Sequence, residues 1–320
     1  MKKIISALSA LLFTTTLAFV GQVEADTAVQ FGIGYRTDYL SSEIGAPDEV
    51  RLNTFSKLKF KDLEIFTISA KLKSTCGDCA YYRAYAQYGW ILDGDVRESD
   101  QIAQISSGPL TPSTVSCSIN PVFHNDVTGR YVADFDIAIG YPLQQCLCEG
   151  LQLVPTLGFA YDTIRLRSKN HDQLSTSDRT AFVLNDSDRP VVDACSSSTS
   201  SSSECDPRNK LRATVWGPFI GLDFAYNNQD CCWNLYGEFE FQWARARRER
   251  NSHLGLHHID HYRRSRQAWG WKGKIGSIYF FRCNWYLDGN ISYRNVWSHK
   301  HHDELKWRSY AVELALGYTF

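Results

Sequence analysis

Beyond its first 25 residues, this sequence lacks any run of about 18 apolar residues, the length with which a helix crosses a bilayer. It also lacks an excess of one charge: the formal net charge is −1, which gives no sign of a nucleic-acid partner. We identify no cofactor motif. A helical membrane protein is therefore excluded, and the aromatic residues, which make up 13% of the chain, must cover either a soluble core or a lipid-facing wall.

The N-terminal segment has the pattern of a secretory signal peptide. Lys2 and Lys3 precede an apolar stretch over residues 4–20, and Val23-Glu24-Ala25 provides small residues at a cleavage site. No lipobox cysteine follows the apolar stretch. We expect cleavage after Ala25, leaving a single mature domain over residues 26–320 that is exported to the bacterial outer membrane.

The C-terminal segment alternates with a period of two residues, which is typical of a strand with two different faces. Small or polar residues separate its apolar positions, and the last residue of the chain is a phenylalanine. Such a strand can turn one face to lipid and the other to a barrel lumen. The apolar positions are Tyr310, Val312, Leu314, Leu316, Tyr318 and Phe320.

Four alternating segments carry an aromatic residue at each end of one face, ten residues apart. At about 3.4 Å per residue and a tilt of about 40°, ten residues rise roughly 26 Å, close to the apolar band of an outer-membrane barrel. A soluble β-sandwich also has alternating strands, but seldom strands this long with such regular aromatic ends. The four pairs are Tyr131/Tyr141, Trp216/Tyr226, Trp233/Trp243 and Tyr310/Phe320.

The sequence predicts an all-β fold: a transmembrane, antiparallel, up-and-down β-barrel of about ten strands. Long outer loops are expected at 93–128, 168–210 and 249–266, and short periplasmic turns at the other end. Twelve strands result if an outer loop contains a hairpin, or if Lys61-Asp62 is a tight turn. The ten predicted strands are 27–38, one within 51–73, 80–92, 129–141, 151–167, 211–227, 233–248, 267–282, 285–296 and 306–320.

Charged residues recur on the predicted lumen face. A ten-stranded barrel is only slightly wider than one that its own side chains fill. These lumen charges either pair across the interior and plug it or line a narrow path for ions and small solutes. They are Arg36, Lys71, Arg83, Asp134, Asp136, Asp162, Asp223, Glu238, Glu240, Lys272, Lys274, Asp288, Arg294 and Glu313.

Ten cysteines in an exported chain indicate disulfide chemistry. Seven of them, the rim cysteines, fall in or beside the four predicted periplasmic turns: Cys76, Cys79, Cys146, Cys148, Cys231, Cys232 and Cys283. Neighbours such as Cys231 and Cys232 are too close to bond to each other without strain. The rim cysteines therefore pair either between turns of one barrel or with other envelope proteins. The remaining candidates are Cys117 and the pair Cys195 and Cys205, which flank a serine run.

The signal peptide, barrel pattern, terminal phenylalanine and rim cysteines together resemble the cysteine-rich major outer membrane proteins and porins of chlamydiae and their amoeba-associated relatives. That resemblance implies disulfide support of the envelope and permeation through the barrel. Tyr310, Tyr318 and Phe320 resemble the C-terminal signal that barrels present to their assembly machinery.

A second resemblance is to the omptins, ten-stranded outer-membrane proteases with an Asp pair facing an Asp-His pair across the outer mouth. Asp93, Asp95 and His261 match this arrangement in part, and in that mechanism they would activate a water. Ile259 stands where the family has the carboxylate that orients the histidine. An endopeptidase is therefore the alternative function, and an adhesin acting through the outer loops is another.

Two further groups occur near the predicted outer ends of the strands. His257, His261, His301 and His302 could bind a divalent metal at the outer mouth, but exposed loops are often rich in such residues without any ligand, and we predict no metal site. The arginines suit contact with lipopolysaccharide phosphates. They are Arg245, Arg247, Arg248, Arg250, Arg263, Arg264 and Arg266.

Overall fold

The computed structural model describes residues 25–45, 52–76, 80–104, 122–127, 130–143, 150–169, 210–227, 232–254, 257–282, 284–298 and 303–320. The expected signal peptide falls outside these ranges, apart from Ala25. No helix in these ranges has the length and apolar character needed to cross a bilayer.

The described residues form eleven β-strands. Most are longer than the roughly 9–11 residues that a tilted strand needs to cross a bilayer. Their bounds are β1 Ala25–Gly45, β2 Leu52–Cys76, β3 Ala80–Gln104, β4 Val122–Val127, β5 Tyr131–Gly140, β6 Leu151–Lys169, β7 Lys210–Asn227, β8 Trp233–Leu254, β9 His257–Phe280, β10 Trp285–Ser298 and β11 Asp303–Thr319.

The sheet closes on itself into an antiparallel barrel. β1 pairs with β2 on one side and with β11 on the other, from Ala28↔Thr319 to Ile44↔Asp303. β4 and β5 follow each other along the same position in the wall, because both pair with β3 and with β6. Eleven strands therefore fill ten positions, which confirms the predicted ten-stranded, antiparallel, all-β barrel.

Two of the predicted outer loops are largely strand. β3 continues to Gln104 and the chain returns as β4, so residues 93–128 hold much of a hairpin. β8 and β9 pair until Leu254↔His257, so all of the predicted loop 249–266 except residues 255–256 lies in these two strands. Polar, arginine-rich strands look like loops in sequence because they have no apolar outward face. The third predicted loop, 168–210, begins at the end of β6, and residues 170–209 lie outside the described ranges.

Lys61-Asp62 does not divide the long second strand. Asp62 has a φ of 50° and lies at a bulge, where the register of β2 against β3 shifts between Lys61 and Glu64. A bulge adds one residue and exchanges the two faces beyond it. Leu58 and Phe60 before the bulge, and Leu63 and Ile65 after it, consequently all point into the barrel.

The outward face carries the predicted aromatic ends. Tyr141, Trp233 and Phe320 mark the end of the barrel that carries the C-terminus, and Trp243 and Tyr310 mark the other end of the apolar band; all five are exposed. The connections at the C-terminal end are short, as in the periplasmic turns of outer-membrane barrels. We call this end the periplasmic rim and the opposite aromatic belt the outer girdle.

Candidate functional site in the barrel interior

The middle of the lumen is crossed by a charge network centred on Arg83. This β3 side chain is 2% exposed and lies 2.9 Å from Asp223 on β7, 3.4 Å from Glu238 on β8 and 3.7 Å from Asp136 on β5. It also pairs with Glu240. One guanidinium thus joins four carboxylates from three strands, which is the arrangement that buried charges require.

Lysines complete this network. Lys71 and Lys73 both contact Glu238, the second at 2.9 Å. Lys272 lies 2.8 Å from Asp136 and 3.8 Å from Glu240. Three of the four carboxylates around Arg83 are therefore shared with cations of β2 and β9.

A second charged layer lies closer to the outer girdle. Arg36 contacts Asp38 at 2.7 Å and also pairs with Asp134. Arg294 pairs with Asp162 and lies 3.5 Å from Asp134. The indole Nε1 of Trp307 donates a hydrogen bond of 2.9 Å to Asp38, so this layer connects directly to an aromatic side chain.

Near the periplasmic rim a buried carboxylate accepts hydrogen bonds from neutral donors. Asp288 accepts hydrogen bonds from Tyr236 at 2.8 Å and from Gln30 at 3.1 Å. Nearer the middle of the lumen, Tyr85 donates to Glu313 at 3.0 Å. Each of these carboxylates is buried and has its own donor, as buried acceptors need.

Beyond the outer girdle the lumen holds an apolar core. Every one of the eleven strands contributes at least one buried side chain to a single contiguous cluster. Trp307 is the largest of them, and Arg294 lies over its ring at 4.3 Å. We call this cluster the outer core: Leu40, Leu58, Phe60, Leu63, Ile65, Ile91, Val96, Val127, Val132, Ile164, Leu166, Leu211, Ala213, Val215, Ala244, Ala246, Ala268, Val296, Leu305 and Trp307.

Arg248 closes the interior above the outer core. Its guanidinium donates to the Ser42 hydroxyl at 2.8 Å and to the carbonyls of Glu43 and Glu304 at 3.0 and 2.9 Å. Predicted as an outward, lipid-contacting residue, Arg248 instead lies 2% exposed inside the barrel, because β8 turns its even-numbered residues inward. Outside the membrane, the hydrogen bond from Lys57 to Glu43 raises the pKa of Lys57.

Sequence reasoning missed the outer core, although a signal for it exists. On β11 the apolar residues point outward from Tyr310 onwards, whereas Leu305 and Trp307 before it point inward. On β8 the same change occurs between Trp243 and Ala244. The phase of the apolar alternation inverts at the outer girdle, since water surrounds the wall above it and lipid surrounds the wall below.

The predicted catalytic aspartates lie on the outer surface of the wall. Asp93 and Asp95 are within β3, not in a loop after it, and both are exposed, while the adjacent Ile91 and Val96 point inward. Asp93 pairs in register with Glu64, and Asp95 with Lys61, around the β2 bulge. Their carboxylates therefore face away from the lumen. The side chain of the third predicted residue, His261, lies outside the described residues.

Among the described residues, no group of three or more His, Cys, Asp or Glu side chains is placed to hold a metal ion. His257 pairs with Leu254 at the tip of the β8–β9 hairpin, where only its backbone is described. The positions of His301 and His302 lie outside the described ranges.

Two of the rim cysteines are described, and neither forms a disulfide with another described residue. Cys76 is the last residue of β2 and is partly exposed, while Cys232 precedes β8 and is exposed. The carbonyl of Cys232 accepts a hydrogen bond of 3.0 Å from Phe280, which fixes its backbone at the rim. The other eight candidates lie outside the described residues: Cys79, Cys117, Cys146, Cys148, Cys195, Cys205, Cys231 and Cys283.

Comparison with known proteins agrees with this architecture. The family profile of the Protochlamydia outer membrane protein matches residues 30–320. The outer membrane protease OmpT of Escherichia coli has 12% identity and a TM-score of 0.60, over 94% of this chain and 99% of that one. OprG of Pseudomonas aeruginosa has 12% identity and a TM-score of 0.31, over 94% and 98%. No curated protein matches. At 12% identity the likeness to OmpT shows the fold alone.

Proposed function

This chain belongs to the Protochlamydia outer membrane protein family and is a β-barrel of the bacterial outer membrane, and we propose that it acts there as a closed barrel that supports the envelope through disulfides to neighbouring proteins. The observation that carries the proposal is the filled interior combined with an exposed thiol at the periplasmic rim.

The interior argues for support over transport. From Asp288 near the rim to Arg248 above the outer core, successive layers of paired charges and packed apolar side chains cross the lumen. A solute would have to separate several buried ion pairs and then displace an apolar core, and both steps are costly.

The rim thiols supply the means of attachment. Cys232 is exposed on a backbone held by its hydrogen bond to Phe280, and Cys76 ends β2 on the opposite side of the barrel. In an oxidising compartment an exposed thiolate attacks a partner's disulfide, forms a new disulfide with one of its sulfurs and releases the other sulfur as a thiol, so no further oxidant is needed. Because Cys231 is its sequence neighbour and too close for an unstrained bond, the natural partner of Cys232 lies on another turn or another protein.

A non-reducing gel of intact envelopes tests the attachment. We expect high-mass species that collapse to monomer on reduction and that diminish in a Cys231→Ser/Cys232→Ser variant. The matched control is Cys195→Ser/Cys205→Ser in the predicted outer loop, which should leave them unchanged. The proposal is contradicted if the protein runs as a monomer both with and without reductant and if no rim thiol can be labelled before reduction.

Porin-like permeation is the second candidate, and one feature favours it. The interior is polar from Gln30 to the Arg36 layer, so a rearrangement that opened the outer core would leave a charged path through the membrane. The outward Asp93 and Asp95 give no comparable support to an omptin-like endopeptidase.

A further inference from the structure

A cleft opens on the outside of the wall at the outer girdle, where β6, β7, β8 and β9 meet. Its volume is about 850 Å³. It is lined by aromatic side chains on the membrane side and by polar side chains beyond them: Phe159, Trp216, Pro218, Trp243, Arg245 and Gln267.

The backbone explains why this part of the wall is concave. β7 and β8 pair at Trp216↔Arg245 and again at Phe219↔Gln242, but not at the two positions between them. Pro218 has no N–H to donate. A Cβ on Gly217 would lie only 2.0 Å from the carbonyl oxygen of Trp243, so no side chain fits there. The floor of the cleft is thus backbone, with Trp216 and Trp243 standing at its sides.

The charge beside the cleft is positive and poorly compensated. Arg245 is exposed and has no ion pair among the described residues. Next to it, Arg247, Arg263 and Arg212 lie 2.5, 3.6 and 3.8 Å from a single carboxylate, that of Glu249. Glu249 is the only acidic side chain described on the outward face of β6–β9 above the girdle.

We propose that this cleft binds a phosphorylated lipid of the outer leaflet, with the phosphate on Arg245 and Arg247 and the first part of an acyl chain against Trp216, Trp243 and Phe159. Guanidinium groups form paired hydrogen bonds to phosphate oxygens. Tryptophan side chains favour the level of lipid headgroups, where one end of the ring is apolar and the other is wet.

One other part of the wall, on β2 and β3, carries several carboxylates at a corresponding height. On β2 and β3 the outward residues at the β2 bulge include Asp62, Glu64, Asp93 and Asp95, all exposed. These carboxylates make that part of the wall less favourable for a phosphate than the arginine-rich side of β7 and β8. The ligand therefore needs both a phosphate and an acyl chain. Inorganic phosphate would make no contact with the aromatic sides of the cleft, and an uncharged lipid would not pair with the arginines.

Lipid binding to the folded, purified full chain in maltoside micelles tests the proposal. The probes are lipid A, phosphatidylglycerol, phosphatidylcholine and inorganic phosphate, and the readout is the dissociation constant by thermophoresis. We expect lipid A or phosphatidylglycerol to bind at least tenfold more tightly than phosphatidylcholine, and inorganic phosphate not to compete. Whichever of the first two binds more tightly identifies the source of the phosphate.

Variants separate the cleft from general attraction to an anionic lipid. Arg245→Gln/Arg247→Gln should weaken binding of the phosphorylated lipid by about tenfold or more, since each surface arginine contributes about fivefold. Arg97→Gln removes an exposed arginine from β3 and should change nothing. Heat-modifiable gel mobility confirms that each variant is folded. Equal affinities for wild type and the double variant, equal losses in the Arg97 variant, or no preference for phosphorylated lipid would each overturn the proposal.

Discussion

Single residues decide whether the interior is stable, and Arg83 is the clearest case. It is the one cation that touches the carboxylates of Asp136, Asp223, Glu238 and Glu240 together. The sequence predicted that all five residues line the lumen, because alternation assigns a face. It did not predict which of them meet, because contacts across a lumen depend on the register and tilt of strands that are distant in sequence.

Replacing Arg83 by methionine tests how much this network contributes to the free energy of unfolding. The substitution keeps much of the side-chain volume but leaves buried carboxylates short of a cation, so we expect a loss of about 3–5 kcal/mol in the free energy of unfolding. Urea unfolding in micelles, followed by tryptophan fluorescence, measures it. Arg97→Met on the outer surface should cost less than about 0.5 kcal/mol. Equal midpoints for the two variants would show that Arg83 is not required.

Within individual elements, the β2 bulge determines which face of the strand points inward. Alternation in the sequence located ten strands, but the residues around Lys61-Asp62 fit either a turn or a continuous strand. The choice depends on pairing: β3 continues opposite β2 on both sides of the bulge, from Lys61↔Asp95 to Glu64↔Asp93, and a turn would break that ladder. Such long-range pairing leaves no local signature.

Deleting Asp62 should therefore be far worse than substituting it. Removal of one residue turns Leu58 and Phe60 outward or forces a slip against both neighbours. We expect the deletion variant to lose the heat-modifiable, folded form on gels. Asp62→Gly is the control: glycine tolerates the φ of 50°, so this variant should fold with a stability within about 1 kcal/mol of wild type. A deletion variant as stable as wild type would mean that β2 tolerates either register.

For the whole molecule, the filled lumen predicts whether the protein conducts ions across a bilayer. If the barrel is closed as proposed, wild-type protein in planar bilayers should give no regular conductance steps, because ions would have to cross both the buried ion pairs around Arg83 and the packed outer core. The measurement needs protein shown to be folded by its gel mobility and inserted as shown by protease protection. Reproducible, salt-dependent steps would favour the permeation candidate and require the interior to open in the membrane.

The inverted alternation at the outer girdle also fixes how deeply the barrel sits. Below the girdle the wall is apolar outside and polar inside, and above it the arrangement reverses within a residue or two on β8 and β11. A shift along the membrane normal would bring arginines such as Arg245 into hydrocarbon or leave side chains such as Val312 in water. The protein therefore cannot slide to suit a thicker or thinner membrane, and around it the lipids must adjust their own height.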